Sequence, residues 1–255
     1  MWRNYVAVGD SFTEGLDDLD LVTGRYRGWA DRVAGALASA NGGGFGYANL
    51  AIRGRLFAPI VAEQVPAALD LKPDLVSFAA GGNDALRRGF EPDRLAAGLD
   101  SVSGRLRAAG ADLLLFTFAP PNPRLPARGI FTARAQRLNP VVAEVAGRHG
   151  ARLVDLWSDG TLASPAYWGV DRLHLNPYGH RRVAAHVLTA LGVEPDPGWW
   201  EPPPLAPARS WAASRVDDAH WVGRYLTPWV RRRLTGRSSG DNRVAKRPTL
   251  EPFDG

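Results

Sequence analysis

Ser11 lies in Gly9-Asp10-Ser11-Phe12-Thr13-Glu14-Gly15, directly after the short apolar run Tyr5-Val6-Ala7-Val8. A serine at such a strand exit has two uses. It can attack a carbonyl if a base takes its proton, or it can cap the helix that follows, accepting from that helix's first N–H groups. Attack demands three further parts: a base, an acid that holds the base, and donors aimed at the oxyanion. Each part has a candidate. Asp171-Arg172-Leu173-His174 sets an acid and a histidine three residues apart, Gly54 offers an N–H with no side chain in front of it, and Asn83 in Gly81-Gly82-Asn83-Asp84 offers an amide NH₂.

Other residues invite plainer readings. His180 is the one rival base, whereas His149, His186 and His220 read as structural. Asp10 reads as a turn-former, with strand alternation pointing it away from Ser11. Glu14, Asp17, Asp18 and Asp20 lack the spacing of a cation loop and read as a solvated turn. Phe12 and Trp168 suit the walls of an acyl pocket, and Arg53, with Arg87 and Arg88, would give the rim a bias toward substrates bearing a negative group.

These candidates need a frame, and the hydrophobic pattern supplies one. Apolar runs near 5–8, 46–50, 75–80, 112–118 and 152–157 read as strands, separated by helical periodicity over 28–40, 57–71, 91–109, 131–149 and 177–191. Strands alternating with amphipathic helices predict an α/β fold, a five-stranded parallel sheet with helices on both faces. Ligands in such sheets gather beyond the carboxyl ends of strands. The Ser11, Gly54, Asn83 and Asp171–His174 stretches all follow strands, on one rim.

Four blocks in this order, Gly9-Asp10-Ser11 with Gly15, Gly54, Gly81-Gly82-Asn83-Asp84 and Asp171-Arg172-Leu173-His174, resemble the SGNH hydrolase superfamily, the GDSL-type esterases and lipases. The resemblance covers about residues 4 to 191. It implies a three-layer α/β/α flavodoxin-like sandwich, with Ser11 as nucleophile, His174 as base, Asp171 orienting it, and an oxyanion hole made by the Ser11 and Gly54 N–H groups and the Asn83 side chain. The substrate would be a small-molecule ester, cleaved without metal or cofactor. The nucleophile turn lacks the second glycine of G-x-S-x-G, which disfavours the α/β-hydrolase class. Thioesterases, carbohydrate deacetylases, lysophospholipases and acyltransferases use the same parts, so small or medium acyl esters stand for a wider set.

Composition sets outer limits. The chain has 255 residues, 45% of them hydrophobic, enough for a full core. Without cysteine, a disulfide framework and a thiolate nucleophile are excluded. No apolar run is long enough to span a bilayer, and the N-terminus enters a strand without the apolar region of a signal peptide, so a cytoplasmic location is expected. The natural division is a hydrolase domain over 1–198 and an extension over 199–255. That extension carries 10 basic and 6 acidic residues of a chain whose net charge is +5. Arginine richness runs through the whole chain, with Lys72 and Lys246 its only lysines, so no nucleic-acid partner follows.

The extension opens with a proline-rich connector and predicts a helix over 210–226, a second helix started by Thr227-Pro228 and ending near 236, and a polar, irregular arm from Arg237. Trp211, Trp221, Val222, Tyr225, Leu226 and Trp229 give it an aromatic face that water would leave unsatisfied. The α/β body or a second copy of the chain, in a homodimer, would cover it; membrane insertion is not expected. A scaffold that binds an anionic partner through this tail is the alternative outside the enzymes.

Overall fold

The computed structural model describes residues 1–126, 128–204 and 210–253, the side chains of 211–213 and 233 excepted. In chain order the main elements are β1 (Asn4–Gly9), α1 (Ser11–Glu14), α2 (Trp29–Asn41), β2 (Gly46–Asn49) and α3 (Phe57–Pro59). A π-helical turn, Ile60–Gln64, leads from α3 into α4 (Val65–Asp70). Then come β3 (Leu75–Ala79), α5 (Gly82–Ala85), α6 (Pro92–Ala108), β4 (Asp112–Phe116), α7 (Arg128–His149), β5 (Arg152–Val154) and α8 (Pro177–Leu191). The extension supplies α9 (Trp211–Trp221), a π-helical turn over Val222–Leu226, α10 (Thr227–Leu234) and β6 (Arg247–Pro252).

The sheet order is β5-β4-β3-β1-β2-β6. The first five strands are parallel, and β6 runs antiparallel along the outer edge of β2. The chain therefore leaves β1 toward β2, crosses back to β3 and continues outward, which puts the switch in strand order between β1 and β3. Both faces of the sheet are covered, as continuous apolar strands require. Tyr5 and Ala7 of β1 face Trp29, Val33 and Leu37 of α2 and Val183 and Leu188 of α8. Val6 and Val8 face the opposite layer, with Ile60, Leu99, Leu106 and Leu138. The α8 boundaries follow from local chemistry. Asn176 accepts from the Tyr178 and Gly179 N–H groups at 3.0 Å each, Pro177 occupies the first turn, and Gly192 ends the helix in the left-handed region at φ 74°.

Three expectations change. The sheet has six strands, because the arm after Arg237 contributes β6, held by Phe253 packed edge-on at 5.1 Å against Tyr47 of β2. Strands four and five are shorter than predicted, ending at Phe116 and Val154. Thr227 does not open a new helix. Its backbone is helical and its hydroxyl donates to the Val222 carbonyl at 2.9 Å, so α9 and α10 run on through the π turn.

The extension folds back onto the body of its own chain. Trp221 is buried and donates its indole N–H to the Asp171 carbonyl at 3.0 Å, while Asp218 accepts from Arg172 at 2.5 Å and Arg124 at 2.8 Å. Farther on, Lys246 reaches Asp31 at 2.5 Å and the Glu14 carbonyl at 2.7 Å. Val222 is 44% exposed and lies off the covered face; the Trp211 side chain falls outside the described residues. No helix among the described residues is long and apolar enough to cross a membrane.

Candidate active site

The helix following β1 is capped by Asp10, not by Ser11. The Asp10 carboxylate accepts from the Phe12 N–H at 3.1 Å, which relieves Ser11 of that duty. Gly15 closes α1 in the left-handed region at φ 92°, and a Cβ there would run into the backbone of Gly28, so the turn demands glycine on both counts. Two buried amides fix its position. Gln64 donates to and accepts from the Gly9 backbone at 2.9 Å each way, and Asn49 donates to the Thr13 carbonyl at 3.0 Å. The Ser11 hydroxyl then lies 2.9 Å from His174 Nε2, and His174 Nδ1 is hydrogen-bonded to Asp171 Oδ2.

The Asp171 loop is built for this contact. Asp171 Oδ1 accepts from the Leu173 and His174 N–H groups at 2.9 and 3.0 Å, locking the carboxylate against the ring. Burial works against ionisation of Asp171, but the His174 contacts outweigh it and hold the carboxyl below the usual carboxylate range. Burial likewise disfavours the imidazolium, yet Asp171, Asp17 and Asp10 together raise the His174 pKa above the ordinary histidine value. His180 differs on every point. Its Nδ1 accepts from the Trp29 N–H at 3.2 Å, its Nε2 donates to the Leu16 carbonyl at 2.9 Å, and burial first of all lowers its pKa to about 3. Both ring nitrogens are committed to backbone.

The three expected donors, at Ser11, Gly54 and Asn83, line one cleft. Gly54 takes φ 72° in a turn lining the cleft, and no hydrogen bond to a described residue uses its N–H or that of Ser11. Asn83 lines the cleft too, but its amide donates to Asp10 Oδ2 at 2.9 Å and to the Arg55 carbonyl at 3.0 Å. Asp10 therefore faces the site through Asn83, against the expectation that it points away. Burial raises its carboxyl to about 6.

Of the acidic cluster, Asp20 is the solvated turn residue expected, accepting from the Val22 and Thr23 N–H groups at 2.8 and 3.3 Å, and the others are not. Glu14 and Asp18 are buried in ion pairs with Arg53 and Arg32. Arg53 also lies 4.9 Å above the Tyr26 ring, so its guanidinium is occupied and is withdrawn as a substrate ligand. Asp17, with a left-handed backbone at φ 65°, turns toward Asp171 and His174; one ligating atom from each of the three lies within 4.8 Å of the others. His174 already spends both nitrogens on Asp171 and Ser11, which leaves the ring no lone pair for an ion. Asp17 Oδ2 is buried with no hydrogen-bond partner, and burial followed by the Asp171 charge pushes this carboxyl up to about 6. Sequence reasoning missed Asp17 and Gln64 as parts of the site.

Two cavities meet at Ser11, Asn83 and His174. One, of 160 Å³, is walled by Phe12, Phe116, Phe118, Phe131 and Trp168. Phe12 stacks at 5.4 Å on Trp29, and Trp168 is pinned by its indole N–H to the Leu162 carbonyl at 2.7 Å. The other, of 290 Å³, lies between the Ser11–His174 rim and the extension.

The GDSL-like lipase/acylhydrolase family matches residues 7–182. No curated protein matches. Among solved structures, TesA is 28% identical with a TM-score of 0.60, covering 74% of this chain and 98% of its own. LAE5, an alpha/beta hydrolase enzyme from the metagenome of Lake Arreo, Spain, is 24% identical with a TM-score of 0.62, covering 74% and 95%. Axe2, an acetylxylan esterase from Geobacillus stearothermophilus, is 22% identical with a TM-score of 0.62, covering 78% and 96%. The extension lies beyond the family match.

Proposed function

The chain belongs to the GDSL-like lipase/acylhydrolase family and is a serine ester hydrolase, and we propose that it cleaves carboxylic esters of small or medium acyl groups through Ser11, His174 and Asp171. The observation that carries this reading is the unbroken relay from the Ser11 hydroxyl through His174 to Asp171, with Ser11 free of capping. In the first half-reaction Ser11 Oγ bonds to the ester carbonyl carbon as its proton passes to His174 Nε2. Asp171 holds the ring in the tautomer that accepts at Nε2 and stabilises the imidazolium that forms. Charge developing on the carbonyl oxygen meets the Ser11 and Gly54 N–H groups. Asn83 joins them by turning one amide hydrogen away from Asp10 or Arg55. When the tetrahedral species collapses, His174 returns the proton to the departing alkoxide, leaving an acyl-Ser11 ester. Water, deprotonated by His174, then releases the acid.

The Phe-lined cavity suits the acyl chain, and its volume favours short to medium lengths. The test is a panel of esters varied in acyl length and leaving group. Turnover is expected for the wild-type protein, with a fall of roughly a thousandfold or more in Ser11→Ala and unchanged circular dichroism. Wild-type turnover in Ser11→Ala would remove Ser11 as nucleophile.

A further inference from the structure

The stripe of the extension that lines the cleft is not an ordinary packing stripe. Trp221, Arg224, Tyr225, Pro228, Trp229 and Arg232 recur at helical three- and four-residue spacing, and all six line the 290 Å³ cavity that also contains Ser11 and His174. Arg224 is exposed and Arg232 half-buried, and the cleft stays open beside them. Arg237 joins from beyond α10 and Arg87 from the loop after α5.

The charge of this cleft is one-sided. Its acids, Asp17 and Asp171, sit at the His174 end, and its fifth arginine, Arg53, is neutralised by Glu14. Arg87, Arg224, Arg232 and Arg237 have no carboxylate within ion-pair distance among the described residues, although the Arg87 charge acts on the neighbouring Asp84 carboxyl. The Arg87 Nε in addition is buried with no hydrogen-bond partner, an unmet donor beside the cavity. Guanidinium forks bind phosphate or carboxylate oxygens in pairs, and the aromatic rings between them offer faces for the apolar part of the same group.

Position relative to Ser11 says which part of a substrate goes there. With the acyl chain in the Phe-lined cavity, as proposed above, the cleft under the extension, which meets that cavity at Ser11, Asn83 and His174, receives the alcohol that His174 must protonate. We propose that this cleft is a leaving-group subsite for esters whose alcohol carries an anionic group, phosphate or carboxylate, read by Arg224 and Arg232 with Arg87 and Arg237. This rests on the ester-hydrolase reading above and adds the substrate's second half.

The experiment compares one acyl group on three alcohols: 1-butyrylglycerol, 1-butyrylglycerol 3-phosphate and O-butyrylglycerate. At low salt, kcat/KM for one or both anionic esters is expected to exceed that of the neutral ester by about tenfold or more, and the excess should shrink in 0.5 M salt as the charges are screened. A gain for the phosphate alone or the carboxylate alone assigns the anion. In Arg224→Gln/Arg232→Gln the anionic-to-neutral ratio should fall toward one, with Arg237→Gln as a milder second variant. Arg94→Gln, an exposed charge on α6 away from the cleft, should keep the wild-type ratio. A ratio near one in the wild-type protein, or one that survives the double substitution, overturns the subsite. Hydrolysis of 4-nitrophenyl acetate that depends on Ser11 checks the parent reading separately. A Ser11-dependent enzyme indifferent to charge would sink the subsite alone.

Discussion

Asp17→Asn tests whether the carboxylate beside the Asp171–His174 pair sets the working pH. Asparagine has nearly the same shape and tolerates the left-handed backbone that Asp17 adopts, so the substitution removes charge with little strain. With ligating atoms within 4.8 Å of one another, a unit negative charge favours the His174 imidazolium by about 3.5 kcal/mol at an effective dielectric of 20 and about 0.9 kcal/mol in bulk water. The cleft is open to solvent, so the value falls between these limits. At 1.36 kcal/mol per pK unit the bracket is roughly 0.6 to 2.5 units, with about one unit the expected size. The sign follows from the chemistry. His174 must be neutral to accept the Ser11 proton, and its raised pKa places the acid limb of wild-type kcat/KM above the ordinary histidine value of about 6.5. Losing the Asp17 charge lowers that pKa, so the neutral base persists into more acid solution and the limb moves down. The assay is kcat/KM on an uncharged ester from pH 4.5 to 9 for both proteins. The wild-type limb belongs to the interacting set Asp17, Asp171 and His174, so the difference between profiles is the quantity to read. A limb that stays in place, or moves up, would refute the electrostatic role of Asp17.

Two further outcomes follow from the geometry. Asn83→Ala should lower kcat by roughly a hundredfold with little change in KM, since in the proposed mechanism its amide meets charge that exists only in the transition state; steady-state kinetics on one good ester decide this, and a pure KM rise would make Asn83 a loop-holding or substrate-binding residue. Truncation after residue 198 strips Trp221 from the Asp171 carbonyl and β6 from β2. Loss of a buried tryptophan and an edge strand should lower the melting temperature by about 5 °C or more and, by loosening the Asp171 loop, reduce ester turnover. An unchanged melting curve would show that the extension contributes nothing to the fold.

The sheet and its covering helices were legible because their signals are local. Pro177, Asn176 and Gly192 announce α8 to the residue, and Val6 and Val8 alternate with Tyr5 and Ala7 as a two-faced strand must. β6 had no such signal: Arg247-Pro248-Thr249-Leu250-Glu251-Pro252 contains two prolines and two charged residues, and only its pairing with Gly46–Asn49 makes it a strand. Thr227-Pro228 misled for the opposite reason, since a sequence that looks like a helix start can also sit after a π turn that spares the missing proline N–H. In the candidate site, Ser11, His174 and Asp171 could be picked out from type and order, and the fold joins them in one hydrogen-bonded set. Asp17 and Gln64 could not, because a carboxylate in a turn and an amide in a helix acquire meaning only from what the fold sets beside them. Arg53 shows the converse, an exposed-looking charge that a nearby Glu14 had already claimed.

The return of β6 to β2 also has a consequence for how the protein is made. About 200 residues separate Asn49 from its partner Arg247, so at 5–20 residues per second a ribosome spends roughly 10–40 s between delivering one and the other. Throughout that interval the β2 edge and the side of the Tyr47 ring that packs on Phe253 have no cover, and an uncovered edge is a template for pairing with a neighbouring nascent chain. The outer wall of the cleft arrives equally late, with Lys246 the tether that fastens it to Asp31. Chains released early by stalled or truncated translation would therefore be adhesive before they were ever catalytic, and a cell making this enzyme has reason to shield or destroy them.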